Sequence, residues 1–266
     1  MFKILSGGIG LLIAGFIILG LFIYLFQENL IFYPSKLPAD YPYPFNSDYE
    51  ELSIVTDDNT VLNALLFTTY PSKGLIFYLH GNAGALDSWG TVASFYTALD
   101  YDIFIMDYRG YGKSEGSINS EQQFYSDTQR AYNEMTNRYQ EKDIIVLGYS
   151  LGSAAAAKLA ADNNPQRLIL QAPYYSILDL KKKFYPYIPD FLVKYEMPTY
   201  VYLENSGVPV TIFHGDRDEV IYYESSLKLQ KHLKAGDELV TLPGQPHNGI
   251  TDNPLYREKL KEILLK

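Results

Sequence analysis

Asp143-Ile144-Ile145-Val146-Leu147-Gly148-Tyr149-Ser150-Leu151-Gly152-Ser153-Ala154-Ala155-Ala156-Ala157-Lys158-Leu159-Ala160-Ala161 is the stretch that decides the fold. The run 143–147 is β-branched and apolar and reads as a short buried strand. The alanine-rich run 153–161 is a strong helix former. Between them lies G-x-S-x-G, and strand, pentapeptide and helix in that order form a nucleophile elbow. A serine hydroxyl is a weak nucleophile and must be exposed beside a base. A sharp strand-to-helix turn exposes it, but neighbouring chain then passes so close that only glycine fits on either side. The helix behind Ser150 aims free N–H groups and its positive end at the place where an oxyanion would form. The pentapeptide alone is weak, since about one chain in ten of this length carries it by chance. Its flanks and its partners carry the argument.

The partners follow in the α/β-hydrolase order of serine, acid, histidine. Pro209-Val210-Thr211-Ile212-Phe213 reads as another buried strand, followed by His214-Gly215-Asp216-Arg217-Asp218. An acid just past such a strand sits at the carboxyl edge of the sheet, where sites gather in α/β folds. Asp216 and Asp218 both qualify. Glu238–Leu242 reads as the last strand, Gly244–Gly249 as a loop, and about Pro254–Leu265 as the closing helix. His247 lies in that loop, where the general base belongs. Of the four histidines, His80 ends a strand before Gly81-Asn82 and is expected to shape an oxyanion loop. His214 is expected to pack or hydrogen-bond at the acid loop, and His232 to lie on a solvated helix.

Six motifs in order resemble the BEM46/ABHD13/ABHD17-like group of α/β-hydrolases. They are Leu30-Ile31-Phe32-Tyr33-Pro34, His80-Gly81-Asn82-Ala83-Gly84, Asp107-Tyr108-Arg109-Gly110-Tyr111-Gly112, Gly148-Tyr149-Ser150-Leu151-Gly152, His214-Gly215-x-x-Asp218-x-x-Ile221 and Pro246-His247. Together they span nearly all of the chain past its N-terminal apolar run. The resemblance implies an α/β-hydrolase fold: a mostly parallel central sheet flanked by helices. It implies Asp218, three residues after His-Gly, as the acid. An oxyanion hole needs two backbone donors. One is expected at Leu151, the residue after the nucleophile, and the resemblance places the other at Asn82. Gly112-Lys113-Ser114 mimics the end of a phosphate-binding loop, but Asp107 occupies the position where that motif requires glycine. The resemblance gives this turn a structural role instead, with Arg109 tying loops together. No metal-ligand spacing appears and the chain has no cysteine, so neither metal nor cofactor is expected.

Ile4 to Phe26 contains no charged residue and is almost wholly apolar. At 1.5 Å per residue that run crosses roughly 30 Å of hydrocarbon. A cleavable signal peptide and a buried core helix are the competing readings. The run is longer than a signal h-region, and Leu25-Phe26-Gln27-Glu28 is a poor cleavage context. Lys3 precedes the span, whereas Glu28, Asp40, Asp48, Glu50 and Glu51 follow it. Positive charge stays cytoplasmic, so the expectation is a single-pass membrane protein with a cytoplasmic N-terminus and its hydrolase domain on the outer side. A net charge of −9 argues against nucleic acid as a partner.

The expected layout is a tail over 1–3, a membrane anchor over 4–26, a linker over 27–50 and a hydrolase domain over 51–266. A small cap insertion is expected over about 173–207. It carries Tyr174, Tyr175, Phe184, Tyr185, Tyr187, Phe191, Tyr195, Tyr200 and Tyr202, and the basic run Lys181-Lys182-Lys183. Each aromatic either covers the active site or packs on the body. The sequence thus predicts a membrane-anchored serine hydrolase cleaving acyl esters or thioesters through Ser150, His247 and Asp218. Its expected substrate is a small-molecule or lipid-like acyl compound. A peptidase or amidase, and a non-catalytic binding protein on the same fold, are the alternatives. A dehalogenase is disfavoured, because those enzymes need aspartate at the position of Ser150.

Overall fold

The computed structural model describes the backbone of residues 2–265 and the side chains of 14–16 and 18–265. Part of the expected tail and the side chains in the first half of the expected span fall outside the described residues. Eight strands form one sheet: β1 (Tyr49–Val55), β2 (Val61–Phe67), β3 (Leu75–Leu79), β4 (Asp102–Met106), β5 (Ile144–Tyr149), β6 (Arg167–Gln171), β7 (Val210–Gly215) and β8 (Glu238–Leu242). Their order is β1-β2-β4-β3-β5-β6-β7-β8. Only β2 runs against its neighbours. From β4 to β8 every pairing is parallel, which demands a crossover between successive strands.

The helices are α1 (Phe2–Ile31), α2 (Leu86–Trp89), α3 (Ala93–Thr97), α4 (Glu121–Thr136), α5 (Gly152–Asp162), α6 (Ile177–Phe184), α7 (Thr199–Asn205), α8 (Glu224–Leu229) and α9 (Pro254–Leu264). Strands β3 to β6 are buried almost throughout, as near-continuous apolar runs covered on both faces must be. Side chains alternate between the faces. On β3, Leu75, Phe77 and Leu79 join the core under α4, α5 and α7, whereas Ile76 and Tyr78 join the core under α3 and α9. Local signals set the helix starts: Ser120 accepts the N–H of Gln123 at 3.1 Å to cap α4, and Asn253 caps α9 with Pro254 at its first position.

Two regions differ from their sequence outlines. α1 does not stop at Phe26 but continues to Ile31, because Gln27 and Glu28 find partners on the body. The chain after it is docked rather than slack. Phe32 is buried against Phe124 and Tyr195, and residues 34 and 36 form bridges to Gly84 and Gly112. The segment 173–207 divides in two. α7 packs on α5 as the crossover helix that a parallel β6–β7 pair requires. The earlier stretch, α6 to Leu192, overhangs the carboxyl edge of the sheet. Its aromatics divide likewise. Tyr174 and Tyr195 are buried and Tyr175 stacks on Tyr200, while Phe184, Tyr185, Tyr187 and Phe191 are exposed.

Candidate active site

Ser150 follows β5 with a left-handed φ of 49°, a conformation that costs energy for any residue with a Cβ. Surrounding structure holds it there. Its N–H donates to Gln171 O at 2.9 Å, and its carbonyl accepts from Ser153 N at 3.0 Å and Ser153 Oγ at 2.6 Å. The flanking glycines are required by crowding. A Cβ on Gly148 would lie 2.5 Å from that of Ala156, and one on Gly152 would collide with Leu79 O.

The hydroxyl of Ser150 lies 3.1 Å from His247 Nε2, and His247 Nδ1 lies 2.7 Å from Asp218 Oδ2. The carboxylate fixes the tautomer: Nδ1 carries the proton, so Nε2 accepts from Ser150. Asp218 Oδ1 accepts two backbone N–H groups, from Val220 and Ile221, each at 2.8 Å. Burial alone would raise the Asp218 pKa, but hydrogen bonds from His214 and His247 outweigh it and hold the carboxyl well below the usual carboxylate range. Asp216 does other work: its carboxylate accepts Gly244 N–H at 2.7 Å and ties the acid loop to the histidine loop.

Asn82 and Leu151 line the same cavity as Ser150. Among the described residues neither main-chain N–H has an acceptor within the chain, so both are free to serve a ligand oxygen. Leu151 caps the start of α5, whose positive end faces the same spot. Both polar atoms of the Asn82 side chain are engaged. Its Oδ1 accepts from Tyr33 N at 2.9 Å and Tyr111 Oη at 2.7 Å, and its Nδ2 donates to Ile31 O.

The remaining histidines separate by environment. His80 is buried just past the end of β3. Its Nδ1 donates to Gly81 O at 2.7 Å, which leaves Nε2 as an acceptor 3.7 Å from Asp107 Oδ1. Burial lowers the His80 pKa to about 4 and raises that of Asp107 to about 8, which favours the neutral form of each. His214 Nε2 donates to Ile221 O at 2.9 Å and to Asp218 Oδ2 at 3.1 Å. It thus shares the carboxylate with His247. His232 lies away from the site against Glu204 and Tyr175. Arg109 binds Asp127 and Asp58, tying loops together.

Sequence reasoning missed two contributions. The Tyr149 hydroxyl donates to His247 O at 2.7 Å and props the histidine loop from the elbow itself. Nothing in a G-x-S-x-G motif signals that. The second is α1: its Ile23, Gln27, Leu30 and Ile31 wall one side of a cavity of about 500 Å³ over Ser150, opposite α6 and Leu192 of the expected cap.

Known proteins can now be set beside this geometry. The family profile described as "Serine aminopeptidase, S33" matches residues 70–199. Protein bem46 of Schizosaccharomyces pombe is 31% identical over 240 residues, covering 83% of this chain and 79% of the relative. Human alpha/beta hydrolase domain-containing protein 17B is 30% identical over 202 residues, covering 73% of this chain and 67% of its own. Among solved structures, an esterase of Pyrococcus furiosus, Pf2001, superposes with a TM-score of 0.72 at 18% identity, covering 88% of this chain and 97% of that one. Est1E from Butyrivibrio proteoclasticus, with ferulic acid bound, does so with a TM-score of 0.67 at 23% identity, covering 80% and 98%. The structures share the fold and the two relatives share most of the length, so the chain belongs to the BEM46/ABHD17-like family of α/β-hydrolases.

Proposed function

We propose that the protein is a membrane-anchored serine hydrolase that cleaves acyl esters or thioesters. Ser150 Oγ attacks the acyl carbonyl carbon while His247 Nε2 takes its proton. The oxyanion accepts hydrogen bonds from the N–H groups of Asn82 and Leu151. The tetrahedral intermediate collapses, the C–O or C–S bond breaks, and His247 returns the proton to the leaving alcohol or thiol. Water, activated by the same histidine, then releases the acid from the acyl-enzyme. Asp218 stays ionised, orients His247 and stabilises the imidazolium. α1 is long and apolar enough to span a bilayer, and Lys3 ahead of it favours a cytoplasmic N-terminus and an outward-facing domain.

One observation carries the substrate class. Among the described residues the cavity over Ser150 is lined by Ile, Leu, Val and aromatic side chains and by no carboxylate. An aminopeptidase must bind a substrate ammonium, and nothing on this wall would pair with one. Lys181, its charged lining residue, is occupied by Ile188 O and Asp190. An acyl chain fits such a surface. The test is a fluorophosphonate probe followed by a panel of acyl esters, thioesters and aminoacyl amides. Covalent labelling at Ser150 with ester turnover above amide turnover is expected. Faster cleavage of an amide than of every ester would overturn the substrate class, and an unlabelled protein would overturn the enzyme.

A further inference from the structure

We propose that α1 is a wall of the acyl site as well as an anchor, and that the site opens into the bilayer between α1 and the tip of the cap, so that an acyl chain enters along the helix from the lipid. The proposal rests on Ser150 as nucleophile and on α1 as a membrane span. Ile23, Gln27, Leu30 and Ile31 are spaced as one helix face and line the cavity that ends at Ser150. That face is held in register with the chemistry. Gln27, only 5% exposed, donates to Leu192 O at 3.1 Å and accepts Lys194 N–H at 2.8 Å. Glu28 pairs with Lys194 at 3.1 Å and accepts from Tyr195 Oη at 3.2 Å. The next turn ends on Asn82, the residue that supplies an oxyanion N–H, through Ile31 O and Tyr33 N.

Depth follows from the same contacts. Ile23 lies within the uncharged run that ends at Phe26, so the cavity reaches below the surface of the hydrocarbon. Leu192 extends farther, since a Cβ on Gly20 would sit 3.5 Å from its Cδ1. Gly20 is six residues before Phe26, or about 9 Å at the rise of an α-helix. The cap tip therefore lies alongside the outer turns of the span. Its neighbours Phe191 and Tyr187 are 82% and 79% exposed, a cost in water but the normal state of aromatic side chains at a membrane interface. A cavity lined mainly by apolar side chains, with its mouth at that level, receives a chain without carrying it through water.

The full chain, in phosphatidylcholine vesicles, provides the test. Leu30→Trp fills the wall and should lower the ratio of kcat/KM for a palmitoyl ester to that for a butyryl ester by about tenfold or more. Leu30→Ala should move the preferred chain to a greater length. Leu21→Trp, on the lipid-facing side of α1, should leave the ratio as in wild type. The chain has no cysteine, so a single cysteine can carry a fluorophore. At Phe191 the fluorophore should be quenched by lipids brominated on their acyl chains, and at Tyr70, beyond the opposite edge of the sheet, it should not. Unchanged ratios in both Leu30 variants, or equal quenching at the two sites, would overturn the proposal while Ser150 remained labelled by a fluorophosphonate. Loss of wild-type labelling would instead remove the underlying enzyme reading.

Discussion

The carboxyl edge of the sheet and the walls of the cavity above it are built on opposite rules. At the edge, Ser150, Asp218 and His247 each follow a strand within a few residues; Ser150, His247 and the side chain of Asp218 are buried, and all three are multiply hydrogen-bonded. The walls come from chain far away, α1 and the segment from α6 to Leu192, and expose large apolar side chains. In the proposed reaction the edge sets what bond can be broken and the wall sets which chain reaches it. Changes at the edge should therefore affect every substrate alike, whereas changes in the wall should affect substrates according to length.

The largest expected effect tests the edge. Ser150→Ala should abolish fluorophosphonate labelling and lower turnover on the order of 10⁶-fold, while circular dichroism stays that of wild type. Labelling at another serine would break the assignment. Asp218→Asn should come next, costing on the order of 10⁴ in kcat through the wrong His247 tautomer. Asp216→Asn should cost far less, because that carboxylate meets a loop N–H and not the histidine. Steady-state kinetics on both separate the two aspartates, and a reversed order would move the acid.

The wall should yield smaller and more selective effects. Tyr185 lines the cavity and Tyr187 does not. Tyr185→Ala should shift the long-to-short acyl ratio of kcat/KM by about tenfold, with Tyr187→Ala leaving it in place. An equal shift for both would erase the distinction between lining and overhanging residues.

The smallest effect concerns stability beneath the oxyanion loop. Asp107 has its pKa raised to about 8 by burial. Its neutral form contributes stability that is full below the ordinary value of about 3.9 and is lost as pH rises toward 8. His80, lowered to about 4, contributes stability present above its ordinary value of about 6.5 and lost as pH falls toward 4. Between pH 6.5 and 8 the aspartate dominates, so unfolding free energy should fall by about 1 kcal/mol per pH unit. Asp107→Asn, an isostere of the neutral acid, should flatten that slope in denaturant titrations. An unchanged slope would mean that Asp107 is ionised in the folded state.

The edge was legible because its demands are local. A strained turn needs glycines at fixed spacing, a buried parallel strand needs an apolar run, and the histidine loop must follow the last strand. Between Asp216 and Asp218 the residues left both open, and only the family resemblance favoured Asp218. What the motifs could not carry is side-chain reach. Tyr149 supporting His247 does not follow from periodicity, because it depends on how the elbow and the histidine loop meet.

The sequence by itself determined the sheet, the elbow, the order of Ser150, Asp218 and His247 along it and the presence of an apolar helix long enough to cross a bilayer. These follow from short-range sterics and from the period of apolar residues. Only the tertiary structure decided that this helix runs on to Ile31, that Gln27 and Glu28 lock it to residues 192–195, and that its last turns close the cavity over Ser150. An apolar residue reads the same in sequence whether it faces lipid, core or substrate. Which of these it meets depends on contacts across more than a hundred residues, which local pattern does not encode.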